Sequence, residues 1–460
     1  MSNSNYVLAG FETLSTIVSN FIENKKNDFN DNFTRQDISN FHENICHGFL
    51  HSFGQNFSGK KNYDNYVSTE VNLYKKCRES NLFNNSLFIA DSGGFQASIG
   101  VIKKNETEIL IKLYHEFLEN YHSVIDRAFI LDLTPGPGCV LFDTFKDVYD
   151  TNLRTYSMAA NLPDDVRKKI IYINHFRTPK LWKIFEDLLV DNNFFEKFDH
   201  FATGGIVASS QTDTSIPCII YVLPLIPLIN QTIKHKRNYL NFHVLGGATF
   251  RDIMFYEFFQ KHVFEKHGIH LKITYDSSGM FKALMLGRFI TCLYDDVLYK
   301  MDIKSDKLHL RFKKNETIGD HITYLLNDMA TRHNFKLLEK DRIYNTESGT
   351  FYEDVKVYLM LYTLDFYSVV QNKMKDFVND TYHFYSENNF EELNKRVSVV
   401  TKNLNDGKLT KKQGAKTSSL IKSLDMLTDL DENFCKHLVN KVLSKDEFTY
   451  LTNSNSMLSF

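Results

Sequence analysis

The 460-residue sequence lacks the features that mark membrane proteins and strongly charged nucleic-acid-binding proteins. It has no run of about twenty apolar residues, the length that spans a bilayer, and its most apolar stretch, IPCIIYVLPLIPLIN, contains three prolines. The net charge is only −2. Bulk charge therefore does not indicate a nucleic-acid partner, and any basic surface must be local. We expect a protein without membrane spans.

Cysteine is scarce and scattered, with six residues at positions 46, 77, 139, 218, 292 and 435. Their spacing does not match the clusters that hold tetrahedral zinc with about four ligands. Free thiols and the lack of a recognisable secretory signal favour a reducing compartment. The sequence therefore predicts a cytoplasmic protein with no bound metal and no cofactor.

The sequence does contain a series of short apolar runs that alternate with helical stretches, and 43% of its residues are hydrophobic. Such alternation is typical of parallel sheets, and many units in one chain favour a closed (β/α)8 barrel. The predicted strands lie at 87–90, 127–133, 168–174, 201–205, 241–247 and 270–277, and the predicted helices at 106–121, 180–190 and 250–266.

The pattern changes beyond the predicted barrel strands. An alternating segment at 297–312 predicts a β-hairpin, and from about residue 316 the chain favours helices. We therefore predict an α/β fold, a (β/α)8 TIM-type barrel with a mostly helical C-terminal extension. The predicted segments are the start of the barrel with insertions, the catalytic barrel portion and the helical region, at 1–84, 85–315 and 316–460.

Acidic residues and paired glycines stand where several predicted strands end. They are Asp91, which opens the stretch DSGGFQ, Asp132, Asp276, Gly204-Gly205 and Gly246-Gly247. Barrel enzymes place their chemistry at the carboxyl ends of the strands, so the pattern predicts a pocket there. Each Asp alone also fits an ordinary turn, in which its carboxylate accepts backbone hydrogen bonds.

Four segments, in this order, resemble motifs of the tRNA-guanine transglycosylases: ADSGGFQ, an Asp before TPGP, FATGGIVA and ITYDSS. Members of that family are (β/α)8 enzymes that exchange a guanine base for a 7-deazaguanine. The similarity covers residues 85–312, and two departures set this chain apart. After Asp276 it has neither the family's zinc-binding Cys-x-Cys-x-x-Cys cluster nor the arginine-bearing run of the members that act on tRNA.

In these departures the chain is more similar to the phage and bacterial relatives that insert 7-deazaguanines into DNA. The resemblance implies a DNA-guanine transglycosylase, a pentosyltransferase that exchanges guanine in DNA for a 7-deazaguanine base such as preQ0. Its expected partners are DNA and that base, with no cofactor. Its expected role is modification of a phage genome against host restriction, which would place the protein in the host cytoplasm.

The resemblance also implies a role for each residue at the strand ends. Asp276 is expected to attack the sugar, and Asp91 to act as general acid and base. Asp132 is expected to accept hydrogen bonds from the guanine edge, Phe95 to stack on the base, and the backbone of Gly205 to reach its O6. The other residues expected to bind the base are Ser92, Gly94, Asn174, Gly204 and Val244.

At one position of the expected pocket the chain departs from the family, and at another it agrees. The Gln expected near the end of the strand at 168–174 is missing, and Asn174 and His175 stand there instead. The shorter amide would suit a different 7-substituent on the base. Val244 stands about where the family has an apolar residue over the other face of the base.

Two basic groups are candidates for phosphate contacts. They are Lys234, Lys236 and Arg237 in the run KHKR, and Lys411 and Lys412 in the Lys-rich connection at 404–419. Each phosphate that a protein neutralises steepens the salt dependence of binding. The alternative for both groups is ordinary solvated surface.

Three other functions stay open on the sequence. One is a tRNA-guanine transglycosylase that has lost its zinc site. Another is a non-catalytic, nucleic-acid-binding member of the same family, against which the presence of both Asp91 and Asp276 counts. The third is a (β/α)8 glycoside hydrolase that uses the same two acids as its catalytic pair.

Overall fold

Eight parallel strands close into a barrel in which the spatial order of the strands follows the chain. The computed structural model describes residues 5–9, 47–60, 62–79, 87–135, 141–175, 178–205, 219–276, 289–294, 297–302, 318–333, 337, 344–345, 350–351, 355–403 and 419–426. The strands are β1 (Tyr6–Ala9), β2 (Gly48–Ser52), β3 (Leu87–Asp91), β4 (Arg127–Phe129), β5 (Ile170–His175), β6 (His200–Gly204), β7 (Tyr239–Val244) and β8 (His270–Asp276). This architecture confirms the predicted (β/α)8 TIM-type barrel.

Helices alternate with the strands along the chain. They are α1 (Tyr66–Glu79), α2 (Gly94–Ser98), α3 (Thr107–Tyr121), α4 (Phe145–Ala160), α5 (Asp164–Arg167), α6 (Pro179–Asp191), α7 (Phe194–Lys197), α8 (Leu225–Lys234) and α9 (Phe250–His267). The three helices predicted from sequence correspond to α3, α6 and α9, with ends that differ by one residue.

The sequence encodes several helix ends directly. Thr144 precedes α4 and its hydroxyl accepts a hydrogen bond from the Asp147 amide, while the Asp147 carboxylate accepts one from the Thr144 amide. Thr249 and Asp252 form the same reciprocal pair at the start of α9. Such capping boxes satisfy N–H groups that the first helical turn leaves without partners. Helix α9 ends at Gly268, whose φ of 67° is accessible at little cost only to glycine.

Buried tyrosine hydroxyls tie helices to the strands that carry the pocket. Tyr114 of α3 donates to the carbonyl of Phe129 at 2.6 Å, where β4 ends. Tyr156 of α4 donates to the carbonyl of Ile173 in β5 at 2.8 Å. Because a buried tyrosine hydroxyl needs a partner, these bonds fix the strand ends relative to the helices.

The described part of the chain after the barrel is mostly helical, as predicted. It contains α10 (Ile318–Arg332), α11 (Val355–Ser386) and α12 (Phe390–Asn403). Asp365 is buried on α11, where it accepts a hydrogen bond from His333 at 2.8 Å and pairs with Arg332. Two short antiparallel ribbons accompany these helices, β9 (Phe289–Tyr294) with β10 (Val297–Asp302), and β11 (Tyr344–Asn345) with β12 (Thr350–Phe351).

The hairpin predicted at 297–312 begins one strand earlier in the structure. Its predicted first strand is present as β10, but β10 pairs with the preceding β9. Only two residues, 295–296, separate these strands, and such short connections are typical of hairpins. The predicted return strand at 303–312 lies outside the described residues.

The chain divides into two compact units. One comprises residues 48–76, 87–276 and 422–460, and the other residues 1–47, 77–86 and 277–421. All the strand-end residues expected to bind or react with substrate belong to the first of these units. The three-part division predicted from sequence stays a prediction. Among the described helices, none is both long and apolar enough to cross a membrane.

Candidate active site

The stretch DSGGFQ turns the chain sharply from strand β3 into helix α2. Asp91 ends β3, and Gly93 adopts a φ of 92°, a left-handed conformation that a side chain would strain. A Cβ at Gly93 would also lie 2.6 Å from the Cα of Gly54, so two backbones touch here. The close approach of Gly93 and Gly54 thus allows helix α2 to begin directly beside the carboxyl end of β3.

Gly94 lets the backbone of α2 pack against Asp132. A Cβ at Gly94 would lie 2.1 Å from the carbonyl oxygen of Asp132 and 2.6 Å from its Oδ1. Ser92 is fully buried between them, donating its hydroxyl to Asp132 Oδ1 and accepting from the Gly94 amide, both at 3.3 Å. These contacts bring three of the expected residues together, Ser92, Gly94 and Asp132.

Asp132 lies beyond the end of β4, in a segment that the sequence predicted to be strand up to residue 133. The sheet pairing of β4 ends at Phe129, and the following backbone is held by a side chain of α4 instead. Buried Asn152 accepts from the amide of Leu133 at 2.8 Å and donates to its carbonyl at 2.7 Å. The Ile130 amide still donates to the Ile171 carbonyl of β5 at 3.0 Å, and beyond it the Asn152 side chain satisfies both backbone groups of Leu133, next to Asp132.

The partner of Asp132 is His175, the last residue of the neighbouring strand β5. His175 Nε2 hydrogen bonds Asp132 Oδ2, and both side chains are more than nine-tenths buried. Asn174, the residue expected to bind the base, precedes it on the strand and therefore points to the opposite face. Asn174 is also buried, and its Oδ1 has no hydrogen-bond partner among the residues that the structure describes. The structure thus places His175, rather than Asn174, against Asp132.

Asp276 ends β8 and is held by β7 and the turn that follows it. Its Oδ1 accepts a hydrogen bond from the Gly246 amide at 2.7 Å and lies 3.3 Å from His243 Nε2. His243 Nδ1 lies 2.9 Å from the hydroxyl of Thr274, on the same strand as Asp276. Gly246 adopts a φ of 80°, which directs its amide to the carboxylate at a cost that only glycine avoids. Asp276 and His243 are both more than nine-tenths buried.

The surroundings of Asp91 favour its protonated form. Burial raises the pKa of Asp91 from 3.8 to about 6, and the negative charges of Asp132 and Asp276 raise it in the same direction. The neighbouring polar groups of Ser52 on β2 and Ser92 oppose this rise. Because both other acids act on Asp91, the three carboxyl groups form one electrostatic cluster at the strand ends.

The three acids therefore have different surroundings. Asp132 and Asp276 each hydrogen bond a buried histidine and a second protein donor. Asp91 lies near two serines and two negatively charged neighbours, so it keeps its proton to a higher pH than an ordinary aspartic acid does. An acid whose pKa is raised by burial and by neighbouring carboxylates is typical of general acid-base catalysis.

The remaining residues of the expected pocket occupy different positions. Phe95, in the first turn of α2, is 57% exposed. Gly204 ends β6, and a Cβ there would lie 3.3 Å from the His175 ring. Gly205 follows with a φ of 79°. These residues line the same strand ends as the acids, and the residues after Gly205, up to 218, lie outside the described part of the chain.

Val244 lies away from the face of β7 that carries His243. Its side chain is fully buried, and a Cβ at Gly247 would approach Val244 Cγ1 to 2.7 Å and the Tyr256 hydroxyl to 2.6 Å. Since neighbouring side chains on a strand alternate, Val244 points away from the side on which His243 meets Asp276. The role of Val244 against the base stays a prediction.

The two basic groups are not brought to the acids by any described contact. Lys234 ends α8, and Lys236 and Arg237 lie between this helix and the start of β7, at the amino end of the barrel strands. Arg237 packs over the ring of Phe195 at 4.8 Å and lies 3.7 Å from Asp199. The group therefore lies at the end of the barrel opposite to the carboxyl ends of the strands. Lys411 and Lys412 lie outside the described residues.

Sequence reasoning did not assign roles to His243, Thr274 and Ser52. The run NFHV carries a usable signal, because polar Asn241 and His243 alternate with apolar Phe242 and Val244. In a barrel this alternation separates side chains that face the interior from those that face the helices. The run IIYINH of β5 has no such alternation, so nothing in it distinguishes Asn174 from His175.

No family model, curated protein or solved structure matches this chain. Among the side chains that the structure describes, no group of three or more His, Cys, Asp or Glu residues is arranged to hold a metal ion. The resemblance to the guanine transglycosylases is therefore carried by the four sequence motifs, and the candidate site by the geometry of three acids and two histidines at the carboxyl ends of the barrel strands.

Proposed function

We propose that the protein is a DNA-guanine transglycosylase, which exchanges guanine in DNA for a 7-deazaguanine base, of the preQ0 type, without breaking the strand. The observation that carries this proposal is the electrostatic cluster at the strand ends. It contains an acid that keeps its proton to about pH 6, Asp91, and a second acid held by two protein nitrogens, Asp276. Base exchange at a sugar carbon requires one carboxyl group of each kind.

The first half of the reaction removes guanine. An oxygen of ionised Asp276 attacks C1′ of the deoxyribose, and a C1′–O bond forms while the C1′–N9 bond breaks. The electron pair of the broken bond leaves with guanine, which takes the proton from Asp91. The products of this half are neutral guanine, ionised Asp91 and a covalent ester between Asp276 and the sugar, with the strand intact.

The second half reverses these steps with a different base. Ionised Asp91 takes the N9 proton of the incoming 7-deazaguanine, and N9 attacks C1′. The C1′–O bond breaks, and its electron pair returns to Asp276 as carboxylate. Asp91 is again protonated at the end, so the cycle consumes no proton and needs no other reactant.

Recognition of the base is assigned to the cluster around Asp132. Its carboxylate is fixed by Ser92 and His175, and each oxygen keeps a lone pair for the N1 and N2 donors of a guanine edge. Phe95 supports this assignment because its ring is exposed beside the strand ends, where an unstacked base could lie on it. Gly205 adds a backbone amide at a strand exit.

The pKa of Asp91 predicts how the rate depends on pH. Because guanine leaves with the proton of Asp91, kcat/KM for release of guanine from DNA should be constant below about pH 6 and fall about tenfold per pH unit above it. The measurement is release of labelled guanine between pH 5 and pH 8. The residual rate of Asp91→Asn should not fall in this way above pH 6. A parental rate that stays constant up to pH 8 would remove Asp91 as the proton donor.

The substrate polymer is the second testable part of the proposal. The pocket must take a guanine out of its stack, which costs a few kcal/mol in a duplex. We therefore expect modification of DNA in preference to tRNA, and of single-stranded or melted DNA in preference to intact duplex. Incorporation of a labelled 7-deazaguanine into matched DNA and tRNA samples measures both preferences. Label in tRNA with none in DNA would contradict the DNA assignment while leaving base exchange in place.

The two basic groups provide a pair of double variants, one in the Lys-rich connection and one in the run KHKR, whose DNA affinities can be compared. Lys411→Ala with Lys412→Ala should weaken DNA binding and reduce the slope of log affinity against log salt by up to about two. Lys234→Ala with Lys236→Ala removes the same charge at the opposite end of the barrel from the acids and should leave the slope unchanged. A loss of affinity in the second pair alone would assign DNA contact to the amino end of the strands.

A further inference from the structure

The hydrogen bonds of Asp276 distinguish its two carboxylate oxygens. The Gly246 amide lies 2.7 Å from Oδ1, and His243 Nε2 lies 3.3 Å from the same oxygen. Both contacts come from β7 and its exit turn, so they hold one side of the carboxylate. A carboxylate has two oxygens that can act as nucleophile, and here one of them is already engaged by two nitrogens.

His243 must be a donor in this arrangement. An ionised carboxylate only accepts hydrogen bonds, so a nitrogen that faces it favourably carries a proton. His243 Nδ1 faces the hydroxyl of Thr274 at 2.9 Å, and a hydroxyl can either donate or accept. The Nε2 proton is therefore present whether the ring is neutral or charged. The ring is further fixed by Phe129, whose centroid lies 5.3 Å away.

We infer that His243 and Gly246 reserve Oδ1 of Asp276, so that Oδ2 is the oxygen that attacks C1′. This inference rests on the proposed function, because it assigns atoms within the covalent step. The Oδ2–C1′ bond forms as the C1′–N9 bond breaks and the electron pair leaves with the base. In the ester, Oδ1 becomes the carbonyl oxygen and keeps both nitrogens as neighbours. His243 is a positioning residue, since it acts through Asp276 and not on the substrate.

The two donors also set how long the ester persists. A hydrogen bond to a carboxylate is stronger than one to a neutral ester carbonyl. His243 and Gly246 therefore favour the free carboxylate over the covalent complex and help the incoming base to displace it. Without the His243 proton, the ester should become more stable relative to free enzyme even as turnover slows.

The test compares two substitutions of His243, one that keeps the ring and one that keeps the donor. His243→Phe keeps a ring against Phe129 but has no donor, whereas His243→Gln keeps an N–H that can reach Oδ1. For Phe we expect turnover to fall about tenfold to a hundredfold, with KM for the incoming base little changed. The fraction of enzyme trapped covalently on DNA, at a fixed guanine concentration, should rise. The Gln variant should return the turnover and the covalently trapped fraction to nearly their parental values.

A control is available in a second buried histidine of the barrel. His51 on β2 hydrogen bonds Glu70 on α1 at 2.6 Å, both of them buried, and it is not one of the residues around the three acids. His51→Gln should lower stability without changing the covalent fraction. Equal covalent fractions in parent and His243→Phe, or no advantage of Gln over Phe, would overturn the inference. A parent that exchanges no base in DNA or tRNA would instead refute the proposed function itself.

Discussion

Asp276→Asn is expected to reduce base exchange by about a thousandfold or more, the scale at which loss of a nucleophile is felt. The amide oxygen of Asn can still accept from the Gly246 amide, so the loop after β7 keeps its contact. The atom that replaces Oδ2 is a nitrogen whose lone pair is delocalised, and it does not attack C1′. The assay is incorporation of labelled guanine into DNA, with circular dichroism and a thermal midpoint to show that the fold is retained.

A matched control separates chemistry from folding. Asp187 on α6 is also buried, and it pairs with Lys183 of the same helix, outside the cluster of three acids. Asp187→Asn should keep the parental exchange rate even if its thermal midpoint falls. Exchange at the parental rate by Asp276→Asn would rule out the covalent mechanism.

Asp91→Asn is expected to reduce exchange to a small residual rate and, at pH 8, to stabilise the protein. Asp91 has its pKa raised from 3.8 to about 6 by burial and by two negative neighbours, so the folded state disfavours its ionised form. A rise of about two units corresponds to a cost of up to about 3 kcal/mol, at about 1.4 kcal/mol per unit. The neutral amide does not carry this cost, so the variant should be more stable than the parent although it is less active.

The sign of this effect follows from proton binding. Between pH 3.8 and about 6 the folded state holds a proton on Asp91 that the unfolded state has lost, so the free energy of unfolding of the parent falls as pH rises through that window. Above about pH 6 the penalty is constant, and below pH 3.8 it vanishes. Denaturant unfolding of parent and variant at pH 8 and pH 3.5 measures the difference. An advantage of the variant that is equal at both pH values would show that Asp91 ionisation is not its cause.

The barrel follows from sequence because its signals are local and repeated. Six of the eight strands were predicted, most of them from an apolar run that ends at a glycine or an acid, and parallel strands place such ends at one edge, whereas β1 and β2 carried no such signal. Among the predicted strands the exception is β4, where the apolar run AFILDL suggests a longer strand than the structure has. Its paired residues end at Phe129, and the backbone groups of Leu133 are instead hydrogen bonded by Asn152 of α4, 19 residues along the chain. No local pattern reports that contact.

The candidate site was less predictable than the barrel because it too depends on contacts between residues that are distant in sequence. The three acids and the glycines stand in short motifs, and the structure does bring Asp91, Asp132 and Asp276 into one electrostatic cluster. The histidines that orient two of these acids come from β5 and β7, at separations of 43 and 33 residues. Which residue of β5 faces Asp132 depends on strand register, and a slip of one residue exchanges Asn174 and His175.

The most direct test of base exchange follows both bases in one reaction. The intact protein is incubated with single-stranded DNA that carries labelled guanine, together with a 7-deazaguanine base, and the free bases, the nucleosides and the strand length are measured by mass spectrometry. We predict that one 7-deazaguanine enters DNA for each guanine released, with every strand at its original length. Guanine released without replacement, strands cut at the sugar, or no release from DNA at all would contradict the proposed function.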